Sequence, residues 1–133
     1  MKQYQLTYLL ARLPIGMSFF GHGLVRILKL SVFSAGLTAQ FGKSILPSAL
    51  VKPFSLVLPF LELLTGILLL TGLFTRQGIV LGWLIILALI FGSAMIEQWE
   101  DIFVQLFYAL YLTGLFLFLS YNAYSVDAKL RGK

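Results

Sequence analysis

Residues 53–73 read PFSLVLPFLELLTGILLLTGL, an apolar run interrupted near its middle by the carboxylate of Glu62. About 20 mostly apolar residues are enough for a helix to cross a hydrocarbon core about 30 Å thick. A charged side chain near the centre of such a core costs at least about 2.5 to 3.5 kcal/mol, so it usually faces other helices and serves a function. This stretch therefore predicts a membrane fold and a polar site inside it.

Three further runs have the length and composition of membrane spans: residues 6–30, 78–96 and 102–121. The chain is 59% hydrophobic and 11% charged, with few loops that could separate domains. Helices satisfy their own backbone hydrogen bonds in lipid, and the short connections at 74–77 and 97–101 predict antiparallel neighbours. We expect an all-α integral membrane four-helix bundle that forms a single domain over residues 1–133.

The longer connection, residues 31–52, contains apolar residues at helical spacing. Leu30, Phe33, Leu37 and Phe41 make up one face, and Ser34, Thr38 and Gln40 are expected on the opposite face. This pattern predicts an additional amphipathic helix between helices 1 and 2, lying at the membrane interface.

The distribution of basic residues predicts the topology. Lys2, Arg76 and the basic residues at 129, 131 and 133 fall on the side that holds both termini, whereas the other side carries fewer and an acidic hinge. By the positive-inside rule, both termini are expected in the cytoplasm, with the protein in the plasma (inner) membrane of a prokaryote. The first run is too long for the core of a signal peptide, contains Arg12 and lacks a small-residue cleavage site, so we expect it to be retained.

Several classes of function are excluded by composition and spacing. The chain has no cysteine, which excludes disulfides, thiol relays and cysteine-ligated clusters. The basic residues are scattered around apolar spans, which argues against nucleic acid. No metal-ligand spacing, phosphate loop or dinucleotide fingerprint is present, and one histidine cannot supply both axial ligands of a bis-histidine haem within a subunit. Neither metal nor haem is predicted.

The first run contains three ionisable residues, Arg12, His22 and Arg26. Arg12, Gly16, Gly23 and Arg26 share one face of a helical wheel. At about 1.5 Å per residue, Arg12 lies about 9 Å from the cytoplasmic start of its span and Glu62 about 13 Å from the opposite face. Because the long guanidinium side chain can bridge the remaining depth, an Arg12–Glu62 ion pair is the leading contact prediction.

His22 and Arg26 lie closer to the outer face, where they could receive a quinone headgroup, a small oxyanion or an acidic lipid. For Arg26, plain snorkelling to the interface is the favoured interpretation, and His22 could simply hydrogen-bond a neighbouring helix. In the fourth run, Gln105 and Tyr108 could present an amide and a hydroxyl to the same cavity, although Tyr108 could equally be a packing aromatic.

Several short motifs, taken in order, resemble the DoxX family over most of the chain. The motifs are Arg12-Leu13-Pro14-Ile15-Gly16, Phe20-Gly21-His22-Gly23, Leu46-Pro47, Pro59-Phe60-Leu61-Glu62 and the run from Gly66 to Arg76. The resemblance implies a four-helix membrane bundle and, by analogy with some members, a subunit similar to those of thiosulfate:quinone oxidoreductase. It also implies Arg12 and Glu62 as the polar pair, with Arg26 where relatives carry lysine.

The expected function is that of a quinone-interacting subunit of a membrane oxidoreductase acting on a small sulfur-containing donor. Arg12, His22 and Glu62 are the candidate catalytic residues, and the candidate quinone-binding residues are Arg12, His22, Arg26, Glu62, Gln105 and Tyr108. The expected partners are the lipid bilayer, a quinone, a protein subunit and, in one alternative, further copies of the chain. Two other functions stay open: a non-enzymatic membrane adaptor or assembly factor, and a transporter of small solutes or anions.

Overall fold

The computed structural model describes residues 2–132, and every regular element in that range is helical. Six α-helices follow one another: α1 (Lys2–Leu28), α2 (Leu30–Gln40), α3 (Ser48–Thr71), α4 (Thr75–Met95), α5 (Trp99–Leu117) and α6 (Val126–Gly132). A single 3-10 turn, Leu119–Tyr121, follows α5. The all-helical prediction is confirmed. The helices differ from the apolar runs at their ends, since α3 begins at Ser48 and α5 ends at Leu117.

Three helices, α3, α4 and α5, are each long and apolar enough to cross a membrane. The pair α1 and α2 meets the same criteria only when taken together, and the two helices are bent by 98° at their junction. Within residues 2–132 there are therefore three candidate spans, or four if the bent pair counts as one. Many large apolar side chains lie on the outside, such as Leu10, Phe60, Leu84 and Leu110, as expected of a surface that faces lipid.

Helices α1 and α3 approach each other closely because glycines line their contact. A Cβ atom added to Gly23 would lie 2.5 Å from the backbone nitrogen of Leu63, and one added to Gly66 would collide with the backbone of Phe20. Gly16 is similarly close to Leu69. Small residues permit such contact between membrane helices. The close approach brings the polar side chains of α1 against α3.

The amphipathic pattern predicted for α2 is wrong in its detail. A helix does form, and it ends just before Gly42, but Ser34 lies on the buried face instead of the exposed one. The Ser34 and Ser55 hydroxyl oxygens are 2.6 Å apart, and Ser55 donates to the carbonyl oxygen of Lys52, so Ser34 is the donor to Ser55. This bond fastens α2 to α3.

The turns at the ends of α3 and α5 meet at one end of the fold. Gly72, in the left-handed conformation with φ 75°, ends α3. The carboxylate of Asp127 in α6 accepts hydrogen bonds from the backbone N–H groups of Phe74 and Thr75, at 2.6 and 2.7 Å. A carboxylate at a helix N-terminus is favourable because the first N–H groups there lack intrahelical partners. The C-terminal segment is thereby held against the start of α4.

Candidate functional site

The only ion pair among residues 2–132 joins Arg26 of α1 to Glu62 of α3. One terminal nitrogen of Arg26, Nη1, donates to both Glu62 carboxylate oxygens, at 2.9 and 2.7 Å. Glu62 is almost completely buried, with 4% of its side chain exposed, whereas Arg26 is 29% exposed. The guanidinium also lies 4.7 Å from the ring centroid of Phe33 in α2, a cation–π contact. Arg26 thus touches groups from α2 and α3, and its snorkelling to the interface is not observed.

The predicted ion pair between Arg12 and Glu62 is wrong. Arg12 is fully buried, and its Nε donates at 2.7 Å to the carbonyl oxygen of Leu69, about 10 Å along α3 from Glu62 at 1.5 Å per residue. The depth estimate failed because it assumed that α1 and α3 begin and end at matching depths. In the structure, Gly23 of α1 lies against Leu63 of α3, which shifts the two helices along one another. Arg26 is the arginine that lies level with Glu62 once α1 and α3 pack through their glycines.

Arg12 instead ties the ends of the helices together. Its Nη1 donates to the side-chain oxygen of Asn122 at 2.6 Å, and its Nη2 donates to the Tyr124 carbonyl oxygen at 3.1 Å. Asn122 in turn donates to the hydroxyl of Thr75 at 2.9 Å. Asn122 is the only asparagine in the chain and directly follows the last apolar run, a signal that sequence reasoning passed over. These hydrogen bonds give Arg12 a structural role at the helix ends.

The other five predicted site residues line a common cavity of about 320 Å³. They are His22, Arg26, Glu62, Gln105 and Tyr108, contributed by α1, α3 and α5. A second cavity of about 460 Å³ shares Arg26 and Gln105 with the first and extends between α2, α3 and α4. Both volumes fall within or near the range of about 300 to 1,000 Å³ that is usual for small-molecule sites. The Arg26 side chain thus borders both cavities.

His22 is held by the backbone of its own helix. Its Nδ1 donates to the carbonyl oxygen of Ser18 at 2.8 Å, which leaves Nε2 as the acceptor of the neutral ring. The hydroxyl of Ser18 bonds the phenolic oxygen of Tyr108, so Tyr108 connects α5 to α1. A ligand in the cavity would meet an imidazole nitrogen, a phenolic hydroxyl and a guanidinium.

Gln105 has an unused hydrogen-bonding atom in this region. Its Nε2 donates to the Ser93 hydroxyl at 3.0 Å, whereas its Oε1 is buried and has no hydrogen-bond partner within residues 2–132. Such unsatisfied buried groups are uncommon and require an explanation. A donor on a bound molecule would supply the missing partner.

Asp101 and Ser93 were missed as site residues. Asp101 was predicted in a hinge, but α5 begins at Trp99, so Asp101 lies in its first turn and borders both cavities. The signal was the spacing of Asp101, Gln105 and Tyr108, which are four and three residues apart on one helical face.

Comparison of the chain with protein-family models, with curated proteins and with solved structures found no match.

Proposed function

We propose that this chain is a small integral membrane protein that binds a quinone headgroup beside the Arg26–Glu62 ion pair. In this proposal it is the quinone-interacting subunit of a membrane oxidoreductase that acts on a small sulfur-containing donor. The supporting observation is that six polar residues from α1, α3 and α5 line one cavity. One of them is Arg26, whose Nε and Nη2 donors have no partner within residues 2–132. The resemblance to the DoxX family supports the same proposal.

The proposed layout is a four-helix membrane bundle made of α1, α3, α4 and α5, with α2 lying at the outer interface. The bend of 98° between α1 and α2 supports this placement, because a helix leaving a span at a right angle can follow the membrane surface. Both termini then lie on the cytoplasmic side of a prokaryotic inner membrane, as the basic residues near the span ends favour.

Four residues of the cavity have distinct proposed roles. Arg26 donates a hydrogen bond to a quinone carbonyl oxygen, and Glu62 holds the guanidinium in place. His22 accepts or returns a proton through Nε2, and the Tyr108 hydroxyl extends the hydrogen bonding toward Ser18. Reduction of a quinone takes up two electrons and two protons, so a site for it needs groups of this kind near the ring oxygens.

The proposal is tested by titrating the purified protein with the ubiquinone headgroup lacking its tail and following the fluorescence of its tryptophans. We expect Arg26→Gln to weaken binding at least about tenfold, since about 1.4 kcal/mol from one charged hydrogen bond gives this factor. Lys29→Gln is the matched control, because Lys29 is exposed at the same end of α1 and forms no ion pair within residues 2–132. Absence of binding to the unaltered protein, or equal loss in both variants, would refute the quinone site.

A second candidate function is that of a membrane adaptor or assembly factor that contacts another protein subunit or further copies of itself. The observation that favours it is the exposure of α5: only 11% of its span is buried, and the outward side chains include Phe103, Phe107 and Leu110. Copurification distinguishes the two functions. A stable protein partner without bound quinone supports the adaptor, whereas bound quinone in the isolated chain supports the first function.

A further inference from the structure

The 460 Å³ cavity that borders Arg26 adjoins a groove of about 200 Å³ whose lining residues are all apolar. Five residues from three helices line both spaces: Leu37, Phe41, Phe54, Ala88 and Gly92. The charged and amide groups of Arg26, Asp101 and Gln105 line the larger space and not the groove. In the groove every lining residue is apolar, and Leu46, Leu50 and Phe91 border it.

We infer that the ligand is a tailed amphiphile, whose polar ring lies between Arg26 and Gln105 and whose single apolar tail leaves the protein sideways through this groove. The inference rests on the proposed quinone function and identifies the ligand's form as an isoprenoid-type quinone bound with its tail in place. The occupant follows from the polarity of the two ends. At the polar end Arg26 can donate to a ring oxygen, and the unpartnered Gln105 Oε1 can accept from a ring hydroxyl of the reduced quinol. Hydrocarbon at the other end suits only an apolar chain.

The groove passes between α2, α3 and α4, on the side where many apolar residues are exposed. Leu50 is 58% exposed and Phe91 is 57% exposed, so the outer part of the groove opens toward the surface that we assign to lipid. A ligand dissolved in the membrane could therefore reach the ring site without crossing water. The hydrogen bond between Ser34 and Ser55 keeps α2 in place as one wall.

Gly92 lines both the polar cavity and the apolar groove. A Cβ atom at this position would lie 3.2 Å from the edge of the Phe41 ring, a contact that is already tighter than normal. A larger side chain would fill the junction between the polar cavity and the apolar groove. The ring site itself, at Arg26 and Gln105, would be left unchanged.

The experiment compares decylubiquinone with the tail-less ubiquinone headgroup on the intact chain in detergent or nanodiscs. We expect Gly92→Leu to weaken decylubiquinone binding at least tenfold and to change headgroup binding by less than threefold. Gly114→Leu is the matched control, because an added Cβ at Gly114 meets nothing within 4 Å and Gly114 lines neither space. Leu50→Trp, at an exposed position in the groove, provides a second variant if Gly92→Leu does not fold.

The outcomes separate the two proposals. Headgroup binding with equal effects of Gly92→Leu on both ligands, or no effect on either, would overturn the tail path and leave the quinone site standing. Failure of the unaltered protein to bind either ligand would overturn both. A photoreactive group at the end of the decyl chain should label Leu46, Leu50 or Phe91, and labelling confined to α5 would overturn the path.

Discussion

Replacement of Arg12 by leucine tests the assignment of this arginine to a structural cluster. Its guanidinium donates to Leu69, Asn122 and Tyr124, and the side chain is only 2% exposed. Each buried acceptor left without a donor costs roughly 1 to 3 kcal/mol. The carbonyl of Tyr124 is only partly buried and counts least, and leucine regains some apolar contact. We expect Arg12→Leu to lower the free energy of unfolding by about 3 to 5 kcal/mol.

The assay is reversible unfolding in mixed detergent micelles, followed by circular dichroism as the fraction of denaturing detergent rises. The control is Arg76→Leu, because Arg76 is exposed and its main contact is with the Phe116 ring, 4.9 Å from the centroid. An exposed cation–π contact contributes about 0.5 to 1 kcal/mol, so the control should lose no more than that. The two arginines therefore differ by several-fold in their expected effect.

Two results would refute the reasoning about Arg12. One is a loss of stability no larger than that of the Arg76 control, which would mean that the cluster does not hold the helix ends. The other concerns ligand binding: under conditions where Arg12→Leu is folded, it should bind the quinone headgroup like the unaltered protein. Loss of binding in that variant, with binding retained in Arg26→Gln, would reverse the assignment of the two arginines.

Two further predictions concern helix packing and capping. Gly23→Ala should lower the free energy of unfolding by about 1 to 3 kcal/mol, because the added methyl group overpacks against α3. The control Gly21→Ala should be neutral or slightly stabilising, since nothing lies within 4 Å of its added Cβ. Thermal unfolding measures both variants, and equal effects would contradict the close contact between α1 and α3. Asp127→Ala should lower the free energy of unfolding by about 1 kcal/mol, because the hydrogen bonds from Phe74 and Thr75 are lost. The variant should also be cleaved faster by proteases after residue 121. An unchanged cleavage rate would show that the Asp127 carboxylate does not hold the C-terminal segment.

Prediction from the amino-acid sequence succeeded where a single physical rule governs. Hydrocarbon excludes unpaired backbone groups, so long apolar runs had to be helices, and α3, α4 and α5 follow them closely. The same poor solvation of charge correctly indicated that Glu62 needs a partner inside the protein. Five of the six predicted site residues do line one cavity.

Prediction failed where the answer depended on how the helices are offset along one another. Arg12 was predicted as the partner of Glu62, but Arg26 lies fourteen residues further along α1, and helical periodicity places both arginines on nearly the same face. Only the glycine contacts between α1 and α3 decide which arginine lies level with the carboxylate. Likewise, Ser34 became a buried residue because Ser55 of α3 faces it, a contact that periodicity within residues 31–52 could not reveal.

The hydrophobicity of neighbouring residues along the sequence determines the helices and their approximate lengths. It also identifies the polar side chains that lipid solvates poorly. Packing between distant segments decides three other features. It pairs Arg26 with Glu62, it places the guanidinium of Arg12 at the helix ends, and it sets the polar cavity beside the apolar groove. The reason is that helix formation depends on neighbours a few residues away, whereas the offset between two helices depends on side-chain shape along their whole contact.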